Sequence, residues 1–225
     1  IRDDAGLAVL GPFTDAFTPQ HLGYRVLPPA VALWGALTLA LCVAVQAVRT
    51  KKGIRDVRLD RDERHLQTEI VGLPWKPEYV DEKTFRKAMA AVPDEKQAAA
   101  YAKYQKDPRD TSTPLGMTDL LVKLFDGKLL SAKSTAFVVQ AMKDCATGTD
   151  RLKAGLAPGW TLAHKTGTSS SWKGMAAATN DVGVLTAPDG AKIAVAVFVG
   201  DSVASDKQRA AFIAKVSALT IQHYR

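Results

Sequence analysis

The chain has 225 residues, 47% hydrophobic content and a formal net charge of +7, which suits one domain of ordinary size or two small ones. Its basic residues are distributed along the sequence and do not form a stripe with interleaved aromatics, so we expect no nucleic-acid partner. Two cysteines cannot frame a disulfide scaffold, and the four histidines have no metal-ligand spacing. The composition therefore predicts no metal site and no other cofactor.

Residues 1–48 differ in composition from the rest of the chain. They contain 5 charged residues, whereas residues 49–225 contain 48. Ala30 to Val48 is a 19-residue run that is almost entirely apolar, and basic residues follow it from Arg49 onward. This run is long enough for a transmembrane helix, so membrane association through residues 30–48 is one interpretation.

Two other interpretations of the apolar run stay open. It could be a buried helix, or a stretch translated out of frame. The basic residues follow the run, whereas in a signal peptide they precede it, and the positive-inside rule would place Arg49 onward in the cytoplasm. The bias toward Ala, Leu and Val is typical of GC-rich coding DNA that is translated in a shifted reading frame. We favour the out-of-frame interpretation and place a boundary between residues 48 and 49.

Helix signals dominate the next part of the sequence. Asp81 is expected to cap a helix from Glu82 to Val92, and Asp94 to begin a second helix that ends at Asp107–Pro108. Further along, Thr118 is expected to cap a helix ending at Gly127.

A fourth helix is predicted after Ser131. It is expected to stop near Thr147–Gly148 and to carry Cys145 on its apolar face as a small buried thiol.

Alternating apolar residues then predict strands at Thr161–Thr168, Asp181–Thr186 and Lys192–Val199, with a turn at Pro188–Gly190 before the last strand. Asp206–His223 has the pattern of a closing amphipathic helix. Strands and helices that are segregated in this way indicate an α+β fold, with an antiparallel meander backed by the final helix.

The first predicted strand contains a short motif that carries chemistry. Lys165 and Thr166 supply an ammonium and a hydroxyl, and Gly167 lets a ligand lie flat against the backbone. Adjacent strand residues face opposite sides, unless a local twist brings their heads together at an edge. Such an edge would bind a carboxylate. Lys-Thr-Gly is one of three motifs shared by serine β-lactamases and penicillin-binding proteins.

Other stretches extend this similarity in the right order. Arg61–Gln67 resembles the Arg-x-Glu-x-x-Leu-Asn omega-loop signature of class A β-lactamases, and Asp107–Pro114 resembles the Asp-Thr-Thr-Thr-Pro stretch that closes that loop. Gly148–Leu152 and Thr179–Val184 resemble the Thr-Gly-x-x-Arg-Leu run and the Thr-Asn-Asp strand of the family. Residues 49–225 therefore resemble the C-terminal part of a class A serine β-lactamase, including part of its all-helical domain.

The resemblance implies roles for the loop residues. Glu63 would be the general base that activates water for deacylation, which needs a carboxylate near a lysine and away from bulk solvent. Gln67, one methylene longer than the usual Asn, would hold that water. Arg61 and Asp110 would form the ion pair that closes the loop. Without the family context, Glu63 is a solvated residue in a charged loop.

The resemblance also implies roles for the strand. Lys165 would act in catalysis by tuning the proton network and, with Thr166, would bind the substrate carboxylate. Gly167 would leave room for the substrate, and the backbone N–H of Thr168 would be one of two oxyanion-hole donors. The nucleophile itself supplies the second donor.

We identify no nucleophile in this chain. The only Ser-x-x-Lys string is Ser170–Lys173, directly after Lys-Thr-Gly, and Ser-Asp-Asn does not occur. The family places the nucleophile far upstream of the omega-loop glutamate, so we expect it to lie before Ile1, together with the N-terminal helix and strands. We expect no hydrolysis by the chain as given.

The sequence thus predicts a serine β-lactamase that acts on β-lactam small molecules and is a periplasmic or secreted monomer when complete. One alternative is a penicillin-binding carboxypeptidase or transpeptidase, which lacks the omega-loop glutamate. The other is a non-catalytic membrane-anchored protein of the same fold. In the family an N-terminal strand pairs with the strand before the last helix, so we expect Lys192–Val199 to have an open edge.

Overall fold

The computed structural model describes residues 52–169 and 171–224. The apolar run at 30–48 and the boundary at 48/49 lie outside them. In the described residues the α-helices are α1 Glu63–Ile70, α2 Glu82–Ala90, α3 Asp94–Tyr104, α4 Pro114–Phe125, α5 Ala132–Lys143 and α6 Asp206–Gln222; the strands are β1 Thr161–Thr168, β2 Ser171–Trp172, β3 Met175–Thr186 and β4 Lys192–Ser202.

The predicted α+β class is confirmed. The chain forms two compact units, one containing residues 57–111 and the other containing residues 54–56 and 112–224. None of the helices in these described ranges is both long and apolar enough to cross a bilayer.

The helical unit contains α1 to α3. Asp62 caps α1 by accepting the N–H of His65 at 2.9 Å, so the sequence predicted as a charged loop begins a helix at Glu63. Asp81 caps α2 as expected, accepting the N–H of Thr84 at 2.8 Å. This helix ends at Ala90, slightly before the predicted Val92.

The predicted start of α4 at Thr118 is wrong. Thr113 is the N-cap, its hydroxyl accepts the N–H of Gly116 at 3.0 Å, and Pro114 occupies the first turn, where its fixed φ suits a helix. The Thr118 hydroxyl lies inside the helix and donates to the carbonyl of Leu115 at 2.9 Å.

The predicted end of α5 near Thr147 is also wrong. Ser131 caps the helix as expected, but the helix ends at Lys143 with Asp144 as its C-cap. Cys145 is therefore outside the helix and half-buried, with its Sγ 3.4 Å from the hydroxyl of Thr147. Because the chain leaves the helix early, Thr147 and the residues after it can reach the sheet.

The antiparallel meander is confirmed. β3 lies in the centre, with β1 and the short β2 along one edge and β4 along the other. It begins at Met175, six residues before the predicted start at Asp181. Within the described residues β4 pairs only with β3. The open edge expected for this strand stays a prediction.

One face of the sheet packs against α6. The core of this layer is formed by five buried side chains from the strands, from α6 and from a 3₁₀ turn at 152–155: Leu152, Leu185, Val195, Val197 and Ile213. The turn, which sequence analysis did not predict, holds the main chain after Arg151 against the sheet.

Candidate active site

The Lys165–Thr168 segment lies on β1, at an edge of the described sheet. The ammonium of Lys165 donates to the main-chain carbonyl of Thr166 at 2.8 Å. The hydroxyl of Thr166 bonds instead to the hydroxyl of Thr147, with 2.6 Å between the two oxygens. The ammonium of Lys165 therefore lies at the edge of the strand, whereas the Thr166 hydroxyl is held by Thr147.

The position of Thr147 depends on Gly148. Its φ is +62°, in the left-handed region that favours glycine. A Cβ at Gly148 would also overlap the methyl group of Thr166. Only glycine lets this turn approach β1 closely enough for the contact between the two threonine hydroxyls.

The backbone of Thr168 points its N–H outward from the sheet. Ser169 donates its N–H to the carbonyl of Ala178 on β3 at 3.0 Å. Alternate residues of an antiparallel strand turn their backbone groups to opposite edges. The N–H of Thr168, one residue earlier, therefore faces away from β3, where a ligand at the edge could accept it.

Arg151 is a site residue to which sequence analysis gave no role, although it belongs to the Gly148–Leu152 run. Its guanidinium donates to the hydroxyl of Thr168 at 2.7 Å and to the carbonyl of Asn180 at 2.8 Å. A longer bond of 3.4 Å reaches the carbonyl of Gly167. A fixed cation thus lies beside the strand segment predicted to bind a carboxylate.

A buried pair beneath β1 fixes the main chain next to Arg151. His164 is 2% exposed and Asp181 is fully buried. The Nδ1 of His164 lies 2.9 Å from one Asp181 oxygen, and the other oxygen accepts the N–H of Leu152 at 3.2 Å. The Thr-Asn-Asp stretch indicated Asp181, but only the structure shows that it links His164 to the 3₁₀ turn.

Glu63 and Gln67 lie in the helical unit, four residues apart on α1. The amide of Gln67 donates directly to the carboxylate of Glu63 at 2.9 Å. Glu63 is exposed, so the described residues do not provide the shielding expected for a general base. The role of Glu63 as the general base, and the lysine expected near it, stay predictions.

Arg61 and Asp110 are in contact, as predicted. The Nε of Arg61 lies 2.6 Å from the Asp110 carboxylate, and these side chains are only 7% and 8% exposed. The same carboxylate accepts the N–H groups of Asp60 and Arg61 at 2.6 Å and 2.9 Å. The side-chain ion pair and these backbone hydrogen bonds together close the segment of fifty residues from Arg61 to Asp110.

The ion pair belongs to a larger network. Arg61 also contacts Glu69 and Asp107, and Arg109 reaches the same two carboxylates at 2.6 Å each. The hydrogen bond from Arg109 lowers the pKa of Asp107 far below its usual value. Burial would raise the pKa of Glu69, but bonds from Arg109 and Arg61 outweigh that effect and lower it.

In residues 52–169 and 171–224, no three His, Cys, Asp or Glu side chains converge in a metal-binding arrangement.

Comparison of the chain with known proteins points to one family. The profile of the beta-lactamase enzyme family matches residues 43–224. The chain is 41% identical over 115 residues to beta-lactamase VEB-1 of Pseudomonas aeruginosa, covering 50% of this chain and 38% of that protein. It is 38% identical over 126 residues to extended-spectrum beta-lactamase PER-1 of the same species, covering 56% of this chain and 41% of that protein.

A solved structure gives the same result. The class A beta-lactamase described as the last common ancestor of Gram-negative bacteria has a TM-score of 0.60 and 30% identity, with 83% of this chain and 56% of that chain covered. The matched region thus spans about half of the solved structure and about two fifths of the curated relatives.

Proposed function

Because the chain belongs to the beta-lactamase enzyme family, we propose that it carries the substrate-binding strand and the deacylating loop of a class A serine β-lactamase. The observation that carries the proposal is the group of cations at β1. Lys165 reaches the strand edge and Arg151 lies over Thr168 and Gly167. Two fixed cations beside an exposed glycine suit the carboxylate of a flat bicyclic β-lactam.

The main chain of β1 supports a second role. The N–H of Thr168 faces away from β3, toward the space a carbonyl would occupy when a substrate lies along Gly167. An N–H fixed in that direction stabilises the oxygen anion that forms when a nucleophile attacks the lactam carbonyl. The bond from Arg151 to the Thr168 hydroxyl holds this residue in place.

Glu63, as the omega-loop glutamate, would carry out the deacylation step. In that step Glu63 takes a proton from water, the water oxygen attacks the acyl-serine carbonyl, and the serine oxygen leaves with a proton. Arg61, two residues before Glu63, is fixed by Asp110, which supports an anchored start of α1. Gln67 would orient the water only after it releases the Glu63 carboxylate.

Class A β-lactamases are generally periplasmic or secreted, and we propose the same location here. The first step of the proposed reaction acylates a serine, and the given sequence has no Ser-x-x-Lys string ahead of Glu63. We expect nitrocefin to be hydrolysed no faster than in buffer, so the proposal is tested by ligand binding.

The test is titration of the chain with benzylpenicillin by calorimetry. Lys165→Met should weaken binding about tenfold, because one charged hydrogen bond contributes roughly 1.5 kcal/mol. The matched control is Lys192→Met, at an exposed position on β4, which should leave binding unchanged. Equal binding by Lys165→Met and the original chain would contradict the proposal.

A further inference from the structure

The position of the Arg151 guanidinium depends on the 3₁₀ turn that begins at the next residue. Arg151 is the N-cap of that turn, but its side chain makes no capping bond. Its main-chain N–H donates to the carbonyl of Gly148 at 3.0 Å, while its side chain extends over the sheet to Thr168 and Asn180. The guanidinium can therefore keep its place only if the start of the turn is held in place.

The cap of this turn comes from the sheet. The first N–H groups of a helical turn have no partner within the turn, and here the N–H of Leu152 donates to Asp181 on β3 at 3.2 Å. Leu152 is fully buried, so water cannot easily replace this bond. Asp181 thus takes the part of an N-cap side chain and holds the main chain directly after Arg151.

Asp181 is held in turn by His164. A buried carboxylate is costly unless it is paired, and Asp181 is fully buried. Its two oxygens lie 2.9 Å and 3.1 Å from the Nδ1 of His164. Because an ionised carboxylate only accepts hydrogen bonds, Nδ1 carries a proton and donates it. The imidazole and the N–H of Leu152 therefore fix the carboxylate together.

The surroundings of His164 leave its ring a single polar anchor. Gly183 lies opposite His164 in the register of the sheet, and a Cβ there would lie 2.8 Å from the Cβ of His164. The Nε2 of His164 is buried and has no hydrogen-bond partner within residues 52–169 and 171–224. The bond from Nδ1 to Asp181 therefore fixes how the ring is oriented.

This buried pair lies on the same face of the sheet as the strand hydroxyls. Asp181 is directly opposite Thr166 in the register of β1 and β3, and opposite residues of an antiparallel pair share a face. His164, Thr166 and Thr168 are alternate residues of β1, so they share that face as well. The pair and the Arg151 guanidinium therefore act on one side of the strand.

From these contacts we infer that His164 and Asp181 are positioning residues for ligand binding, because they place Arg151 on β1 through the main chain of Leu152. Neither side chain would touch the ligand, since both are buried. The inference rests on the proposed function, in which Arg151 binds the substrate carboxylate. It adds that the affinity for this carboxylate is set by a buried pair that takes no part in the proposed reaction.

Trypsin measures the placement of Arg151 without any ligand. It cuts after arginine and lysine, and the bond after Arg151 is protected while the turn is held. Asp181→Asn should raise cleavage there about fivefold relative to cleavage after Lys215, which lies within α6 and reports wider unfolding. The control Leu121→Ala creates a cavity in the core at α4 and should leave this ratio unchanged.

Two substitutions at His164 separate its hydrogen bond from its packing. The amide of asparagine can take the place of Nδ1 and donate to Asp181, whereas leucine has bulk but no donor. Calorimetry with benzylpenicillin should show His164→Asn within about twofold of the original chain and His164→Leu weakened about fivefold. Tighter binding by His164→Leu than by His164→Asn would overturn the inference, because packing alone would then explain the effect.

A double-mutant cycle shows whether the pair acts through Arg151, and it is independent of whether His164→Leu folds. Arg151→Met should weaken benzylpenicillin binding about tenfold. Asp181→Asn should weaken it about fivefold in the original chain and not further in Arg151→Met. Equal losses in both backgrounds, or unchanged cleavage after Arg151, would overturn the inference. If the original chain binds no benzylpenicillin, the proposed function fails, and the cleavage ratio still decides the placement of Arg151.

Discussion

Two glycines of the sheet are under opposite steric constraints. A Cβ added at Gly183 would lie 2.5 Å from the carbonyl oxygen of Ala163 and 2.8 Å from the Cβ of His164. A Cβ at Gly167 would meet only the Cβ of Asn180, at 3.9 Å. Gly183 therefore makes room for the buried His164, whereas Gly167 leaves its outer side open.

We expect Gly183→Ala to lower the free energy of unfolding by about 1–3 kcal/mol, the usual cost of overpacking. Gly167→Ala should change stability little and should weaken benzylpenicillin binding, because a methyl group would occupy the surface where the ligand lies. Urea unfolding followed by circular dichroism, together with calorimetry, measures both effects. A larger loss of stability for Gly167→Ala than for Gly183→Ala would contradict this assignment.

Sequence patterns placed Lys165, Thr166 and Thr168 on one strand but did not indicate their contacts. Their common strand could be predicted because they belong to one contiguous segment of alternating residues. The contacts of Arg151 with Thr168 and Asn180 span 17 and 29 residues. Such contacts depend on where the 3₁₀ turn packs against the sheet, which local patterns do not encode.

At the scale of single elements, the caps decided which predictions were right. Asp81 and Ser131 were predicted correctly because each is followed by a helix-forming stretch. At α4 there are two threonines, Thr113 and Thr118, and the prediction chose the second. Thr113 caps because Pro114 follows it and suits only the first turn of a helix.

The ion-pair network of Arg61 and Arg109 with Glu69 and Asp107 predicts a pH dependence of stability. Asp107 and Glu69 have lowered pKa values in the folded chain, relative to ordinary values of 3.8 and 4.5. The unfolded chain then binds protons more readily than the folded chain as the pH falls. The network's contribution to stability is therefore fully present above the ordinary values and is lost as the pH falls through the lowered ones.

We expect the free energy of unfolding of the chain to decrease as the pH falls below about 4.5, the higher of the two ordinary values. In Arg109→Met the decrease should be smaller, because Arg109 is the main cause of the lowered pKa of Asp107. Urea titrations at a series of pH values measure the slope. Identical slopes for the two proteins would show that the network does not stabilise the folded state.

At the scale of the whole molecule, the meander and the closing helix were predictable because they are built from sequence neighbours. The division into two units was not, since it depends on residues 54–56 joining the second unit. The carbonyl of Asp56 accepts the N–H of Thr113 at 3.0 Å. No local pattern distinguishes this short segment from the residues on either side of it.

The edge of β4 follows from the same register. Ser169 bonds to Ala178, so even-numbered residues of β3 face β1 and odd-numbered residues face β4. On β4, Val195 and Val197 therefore pair with β3, while Ala194, Ala196 and Phe198 turn their N–H and carbonyl groups to the outer edge. Along this strand of eleven residues, outward groups that have no strand partner among residues 52–169 and 171–224 form a template for pairing with another chain.

We expect the purified chain to form oligomers whose size increases with concentration, as measured by size-exclusion chromatography with light scattering. Ala196→Pro should reduce this association, because it removes an outward N–H and leaves the pairing with β3 intact. Val197→Pro, one residue later, should instead disrupt that pairing and destabilise the fold. A monodisperse, cooperatively melting monomer at all concentrations would show that the edge is covered, and equal effects of the two prolines would show that the register is wrong.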